Sequence, residues 1–348
     1  MAAQYPIYAA AGAGFRVQDR ENARCGLPFA AKECLVSKRV VRWAGVAKTT
    51  EQPSCEATMR PEILNTRIFL DGADPEETRR VIKALGFLDG QTTNPSLLAK
   101  NPEAQAHKVD GNKFSAKAIY QFYEKLCREL ADLLPDGSIS IEVYADETTT
   151  VAAMLEQARE FDTWIKNAHI KLPTTAAGLE AANILTDEGR RVNMTLVFTQ
   201  AQAAAVYAAT KGAPRGAVFL SPFVGRLDDR GENGMELIAD ILKLYAGGDG
   251  HVEVLTASVR SMEHFLCALA YGSDIITAPG SILLEWAEAG MPIPGSSYVY
   301  EPAGLKPIPY EALSLDAPYA SYAIGHPLTD AGLAKFAADW NSLIDMAS

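Results

Sequence analysis

One lysine of this chain stands in a setting that could make it a nucleophile. The stretch Ala168-His169-Ile170-Lys171-Leu172-Pro173-Thr174-Thr175 begins as a short apolar strand, places Lys171 at its end, and breaks at a proline able to open a helix. A rigid element would then aim the amine at whatever lies above the strand ends. An amine held that way and partly desolvated can attack a carbonyl carbon and form a Schiff base. Taken alone, Lys171 is more simply a solvated lysine at a strand terminus. Its companions at other strand ends decide between the two.

Those companions depend on the elements that carry them. From Arg67 onward, short β-branched or apolar runs alternate with segments of helical period. Strands are predicted at 67–71, 86–92, 139–144, 168–172, 192–197, 217–221, 252–257 and 274–278. Helices are predicted between them at 74–85, 113–133, 148–164, 175–189, 199–210, 233–246, 259–271 and 280–289, the last stopped by Gly290 and Pro292. A further helix near 329–345 carries Leu333, Phe336, Trp340 and Ile344 on one face, so it should dock against the body. Eight strands alternating with eight helices predict an α/β fold, a (β/α)8 TIM barrel with an extra C-terminal helix. A doubly wound open sheet would instead carry a phosphate-binding glycine turn after its first strand, and this sequence has none there.

In a TIM barrel, chemistry sits at the C-terminal ends of the strands. Reading those positions in order gives Asp71, Asn94, Glu142, Lys171, Thr195, Ser221 with Arg226, and Ser258 with Arg260. Each has a structural alternative. Asp71 could cap the helix at 74–85, Asn94-Pro95 could only turn the chain, and each arginine could pair with an acid such as Asp228 or Glu263. Together they would bring two carboxylates, an amine, an amide, hydroxyls and two guanidinium groups to one mouth. His169, two residues before Lys171, falls on the same strand face one layer deeper and is expected in the core. Asn193-Met194-Thr195 matches a glycosylation sequon but lies in a predicted inner strand, so it is set aside.

Composition narrows the function. A net charge of −11 argues against a nucleic-acid partner and requires local positive charge for any anionic substrate. No run of about 18 apolar residues occurs, so no membrane-spanning helix is expected. Five cysteines without close pairs or metal spacing fit a reducing compartment, here the cytoplasm, and the five scattered histidines make a metal site improbable. Residues 1–60 differ from the rest: nine Lys/Arg against five Asp/Glu, where 61–348 hold 23 against 38. They lack the basic start of a signal peptide, and their acidic residues speak against a transit peptide. Gly12-Ala13-Gly14 lacks the third glycine of a dinucleotide fingerprint. The segment is expected to be a disordered extension, or sequence upstream of a true start at Met59, with the barrel occupying 61–348.

Four stretches resemble the signature sequences of the transaldolases: Thr92-Thr93-Asn94-Pro95-Ser96-Leu97, Ile170-Lys171-Leu172-Pro173-Thr174, Asn193-Met194-Thr195-Leu196 and Ser221-Pro222-Phe223-Val224-Gly225-Arg226. The resemblance runs from about Arg67 to Ala289. It implies a TIM barrel with a Schiff-base lysine on the fourth strand and neither cofactor nor metal. Lys171 would condense with the C2 carbonyl of a ketose phosphate, and Asp71 would take the C4 hydroxyl proton. Glu142 would act through a water also held by Thr195. Asn94, Asn193 and Ser221 would hold the dihydroxyacetone unit, and Arg226, Ser258 and Arg260 the phosphate. The 60-residue front, the Thr277-Ala278-Pro279-Gly280 strand end and the 295–348 tail depart from the short family members. Glu142 and Phe223 resemble the true transferases, since the aldolase-like relatives tend to carry Gln and Tyr there.

The expected activity is transfer of dihydroxyacetone between sugar phosphates of the pentose phosphate pathway, with room for a homo-oligomer. A fructose-6-phosphate aldolase of the same fold is the nearest alternative. A non-catalytic sugar-phosphate-binding barrel, with the basic front segment as a partner-binding tail, is the alternative of another class.

Overall fold

The eight apolar runs become eight parallel strands that close into a barrel in sequence order. In this computed structural model the described residues are 60–109, 113–295, 298–302 and 304–345. The expectation for the front segment therefore falls, apart from Arg60, outside them. The strands are β1 (Arg67–Asp71), β2 (Gly90–Thr92), β3 (Ser138–Glu142), β4 (Ala168–Pro173), β5 (Val192–Val197), β6 (Val218–Pro222), β7 (Val252–Thr256) and β8 (Ile275–Ala278). Strands β2 to β8 are buried along their whole length. Strands as polar as Gly90–Thr92 and Ser138–Glu142 are buried with the apolar ones because helices cover the outer face and side chains fill the inside.

The predicted helices are present as α1 (Pro75–Leu85), α4 (Ala116–Leu133), α5 (Val151–Phe161), α6 (Ala176–Asp187), α7 (Gln200–Ala209), α9 (Gly234–Tyr245), α10 (Met262–Tyr271) and α11 (Gly280–Glu288). Three were not foreseen: α2 (Pro95–Lys100), α3 (Pro102–Val109) and α8 (Val224–Asp228). They are too short to show a period, although Pro95 and Pro102 each sit at a first helical position. Strand β2 is shorter than the predicted 86–92. Gly86 ends α1 in the left-handed region at φ 78°, and the Asp89 side chain accepts from Ile68 N–H at 2.7 Å, so this stretch caps and turns before it pairs.

Past α11 the chain laces back over the outside of the barrel. Gln200 donates to Pro309 O and accepts from Glu311 N–H, at 2.9 and 2.8 Å. The final helix, α12 (Pro327–Asn341), then lies across the mouth against α2 and the end of β5. Its predicted apolar face does dock: Phe336, Trp340 and the following Ile344 are buried, and Leu333 is partly so. Trp340 packs in a ring cluster with Tyr120, Tyr123 and Tyr144. No described helix is long and apolar enough to cross a membrane.

Arg60 closes the opposite end of the barrel. Its Nη1 reaches both Asp89 carboxylate oxygens, at 2.6 and 2.7 Å, and its Nη2 donates to Thr66 O at 3.0 Å. We expect a chain begun at Met59 to keep this clasp and to melt at the temperature of the full chain. Starting at Pro61 removes the arginine and should cost about 1 kcal/mol, or roughly 2–4 °C. Calorimetry of the two truncations checks this. Aggregation or early melting of the Met59 protein would mean the front segment belongs to the fold.

Candidate active site

Lys171 is inside the barrel, 3% exposed, in register between Glu142 on β3 and Asn193 on β5. Its Nζ lies 3.1 Å from Glu142 Oε2 and donates to Thr93 O at 3.2 Å. That carbonyl is held in place because Thr93 gives its own N–H and hydroxyl to Ser140 O, at 3.2 and 2.8 Å. Tyr123 of α4 locks the same corner. Its hydroxyl shares a 2.6 Å hydrogen bond with Thr93 Oγ1 and accepts from Glu142 N–H at 3.0 Å. Glu142 is 4% exposed, and burial raises its carboxyl above the ordinary range, with Lys171 opposing the shift. Beside the lysine, Asn193 donates to Ser140 Oγ at 3.0 Å and accepts from Ser221 Oγ at 2.7 Å.

Two buried side-chain atoms among the described residues have no hydrogen-bond partner: Glu142 Oε2 and Thr195 Oγ1. Lys171 Nζ, 3.1 Å from Oε2, is nevertheless its charge partner, and also donates to Thr93 O. A buried carboxylate oxygen held by the lysine alone and a buried hydroxyl with no partner, on the two strands flanking the lysine, are costly for folding and call for a functional reason.

Asp71 ends β1 and keeps part of its surface toward the mouth while protein surrounds it elsewhere. It does not cap α1; Asp74 does, accepting from Glu76 N–H at 3.0 Å. Asp71 instead accepts from Thr92 Oγ1 at 2.8 Å, and Thr92 is bridged to Thr277 of β8 at 2.7 Å. Burial raises the Asp71 carboxyl, against the pull of Lys171, the Thr92 hydrogen bond, Lys100 and Arg226. Asn94 does turn the chain, its Oδ1 accepting from Leu97 N–H at 2.9 Å as the cap of α2, and it also lines the cavity.

The cationic side of the mouth is built on the β6 and β7 ends. Phe223, Val224 and Gly225 donate backbone N–H groups to Val197, Ala257 and Ser258 carbonyls, at 3.0, 3.1 and 3.1 Å. Gly225 is required there, because a Cβ would lie 2.4 Å from Ser258 O and 2.6 Å from Arg260 Nε. Ser258 adopts φ 58°, a left-handed conformation uncommon for a residue with a side chain and often found at functional sites. Arg226 pairs with neither Asp228 nor any other described acid; its guanidinium lies over the Phe223 and Phe336 rings. Asp228 is turned away to His264 Nε2, 2.7 Å distant. Arg260 pairs with Asp229 at 2.7 Å rather than with Glu263.

These groups line one cavity of about 500 Å³, with Asp71, Asn94, Lys171, Ser221, Phe223, Arg226, Ser258 and Arg260 on its walls. Glu142, Asn193 and Thr195 lie behind its floor. His169 is in the deeper layer, stacked on Phe219 and held by Ser138 and Gly216, and burial lowers its pKa to about 3. Sequence reasoning missed Thr92, Thr277, Lys100, Gly332 and Lys335 of the wall, and Tyr123 behind it. The two threonines stand at strand ends and were open to the same rule that found Asp71. Nothing local marked the tail-helix residues. Among the described residues no cluster of three or more His, Cys, Asp or Glu side chains is arranged to hold a metal.

Comparison with known sequences bears on the same span. The profile of the family described as Transaldolase/Fructose-6-phosphate aldolase matches residues 68–347. A probable transaldolase of Dehalococcoides mccartyi is 36% identical over 277 residues, which cover 80% of this chain and 99% of that one. Probable transaldolases of Anaeromyxobacter dehalogenans and Brucella ovis are 35% and 36% identical over 277 and 274 residues, covering 80% and 79% of this chain and 97% and 96% of theirs.

Proposed function

The chain belongs to the transaldolase/fructose-6-phosphate aldolase family, and we propose that within it this enzyme is a transferase. It would move a dihydroxyacetone unit from fructose 6-phosphate or sedoheptulose 7-phosphate to erythrose 4-phosphate or glyceraldehyde 3-phosphate, in the cytoplasmic pentose phosphate pathway. The observation that carries the proposal is the buried Lys171–Glu142 pair at 3.1 Å, opening on a cavity that also holds Asp71 and two arginines.

The chemistry follows from these residues. Glu142, made more basic by burial, relieves Lys171 of a proton, and the free amine adds to C2 of the ketose. Glu142 returns a proton, through a water shared with Thr195, as the carbinolamine loses its hydroxyl and becomes an iminium. Asp71 then takes the C4 hydroxyl proton. The C3–C4 bond breaks, its electrons move into the iminium to give an enamine, and the aldose phosphate leaves. An acceptor aldehyde reverses the sequence. Asn94, Asn193 and Ser221 would hold the hydroxyls of the bound unit, and Arg226, Ser258 and Arg260 the phosphate at the far end of the sugar, where a forked guanidinium matches two phosphate oxygens. A coupled assay for glyceraldehyde 3-phosphate from fructose 6-phosphate tests this. Product that requires erythrose 4-phosphate supports transfer; product without any acceptor means an aldolase.

Phe223 bears on that difference. The enamine is quenched only if an acid protonates its carbon, and Phe223, on the cavity wall, has no proton to give. Phe223→Tyr is expected to raise dihydroxyacetone release relative to transfer by about 10- to 100-fold, a change of about 1.4–2.7 kcal/mol. If the parent enzyme already releases dihydroxyacetone as fast as it transfers it, the transferase assignment fails.

A further inference from the structure

Gly332, in the middle of α12, stands where helix propensity favours almost any other residue. The packing gives the reason. A Cβ at this position would lie 2.6 Å from Arg226 Nη1 and 2.6 Å from Leu196 Cδ2. Arg226 makes no ion pair with a described residue; Glu142, Asp229 and Asp339 act on it only at a distance, and its close contacts are with rings and packed side chains. The Phe223 ring centre lies 5.0 Å from its guanidinium carbon, that of Phe336 lies 5.3 Å away, and Gly332 leaves the room that Nη1 occupies. We infer that Gly332 is a positioning residue for Arg226 and thereby sets the preference of the site for phosphorylated sugars. The inference rests on the reading that Arg226 holds the substrate phosphate.

Neither the helix nor Leu196 is free to retreat. Thr329, one turn before Gly332, is 2% exposed, donates to Leu196 O at 3.0 Å and accepts from Gln202 Nε2 at 2.8 Å. Leu196 is already held at φ 60°, and its side chain is fully buried. Two turns later Asp339 accepts from Ser96 Oγ, and Phe336 and Trp340 are sunk in the core. The mobile partner in any collision is the end of the arginine. A side chain at 332 should therefore press on the Leu196 methyls and turn the guanidinium, the one neighbour able to swing clear, away from its place on the cavity wall.

The experiment measures kcat/KM for fructose 6-phosphate and for unphosphorylated fructose as donors, in Gly332→Ala, Arg226→Met and the double variant. Gly332→Ala is expected to lower the ratio of the two values by about 10- to 100-fold, the size of one or two lost charge-assisted hydrogen bonds. It should do so mainly through KM for the phosphorylated donor; the new methyl also presses on Leu196 and lowers the melting temperature, and the unphosphorylated donor controls for that loss. Added to Arg226→Met, it should lower the ratio no further, because the group it displaces is gone. A ratio unchanged in Gly332→Ala, or both donors weakened equally, overturns the inference while leaving the phosphate role of Arg226 standing. A ratio unchanged in Arg226→Met overturns that role and the inference with it. Gly332→Ala combined with Leu196→Ala, read against Leu196→Ala alone, removes the contact with the leucine methyls and keeps the one with Arg226, and serves if the single alanine protein does not fold.

Discussion

Lys171→Met should fold as the parent does and lose transfer activity to the limit of the coupled assay. The side chains are similar in length and volume, so the barrel interior stays filled. Loss of the ammonium leaves Glu142 buried without its charge partner, which raises its carboxyl further and lets it enter the folded state protonated. Catalysis has no such escape, because the other lysines of the cavity, Lys100 and Lys335, are not paired with Glu142. Arginine should not substitute, since a guanidinium stays protonated and cannot add to a carbonyl. The direct check is borohydride reduction in the presence of fructose 6-phosphate. A dihydroxyacetone-derived mass should appear on the peptide carrying Lys171 and be absent from Lys171→Met. A modified peptide elsewhere, or an active methionine variant, removes Lys171 from the centre of the mechanism.

Asp71→Asn should keep the Schiff base and lose the bond-breaking step. The amide still accepts from Thr92 Oγ1 but cannot take the C4 hydroxyl proton, and kcat is expected to fall by about 10²- to 10⁴-fold. Borohydride trapping on Lys171 should persist, which separates a lost base from a lost site. Stability should move the other way. The Asp71 carboxyl is raised in the folded state, so its contribution is full below the unfolded carboxyl pKa and is lost as pH rises through the folded value. The asparagine variant has no such loss. Its melting temperature should match the parent near pH 3.5 and exceed it at pH 7 to 8. A parent that melts higher than the variant at pH 8 would mean that ionised Asp71 stabilises the fold and that its cationic neighbours outweigh its burial.

Much of the site could be read without coordinates because barrel chemistry is tied to strand ends, and strand ends are local. Apolar runs bounded by glycine, proline and asparagine placed Lys171 on the fourth of eight strands. The same count put Asp71, Glu142, Thr195 and Ser221 at the level of the mouth. The amide of Asn94, the hydroxyl of Ser258 and the arginines at 226 and 260 followed from the positions just beyond. Where local chemistry competed with the ladder, as at 86–89, the strand came out too long, since a carboxylate that caps a turn looks the same in sequence as one that ends a strand.

The sequence alone determined that this chain makes a (β/α)8 barrel and which strand ends carry Asp71, Lys171 and Ser221 to its mouth, for both follow from periods and spacings within single elements. It did not determine how those side chains are held. The apolar stripe of α12 showed that the helix must dock but not where, because a stripe specifies a face and not a partner. Only the folded chain places that helix over the mouth, with Gly332 against Arg226 and Phe336 beside it. The 3.1 Å approach of Glu142 to Lys171 and the lock of Tyr123 on both strand ends are likewise tertiary. They join residues 29 and 19 positions apart or more, and such contacts exist only once the barrel has closed.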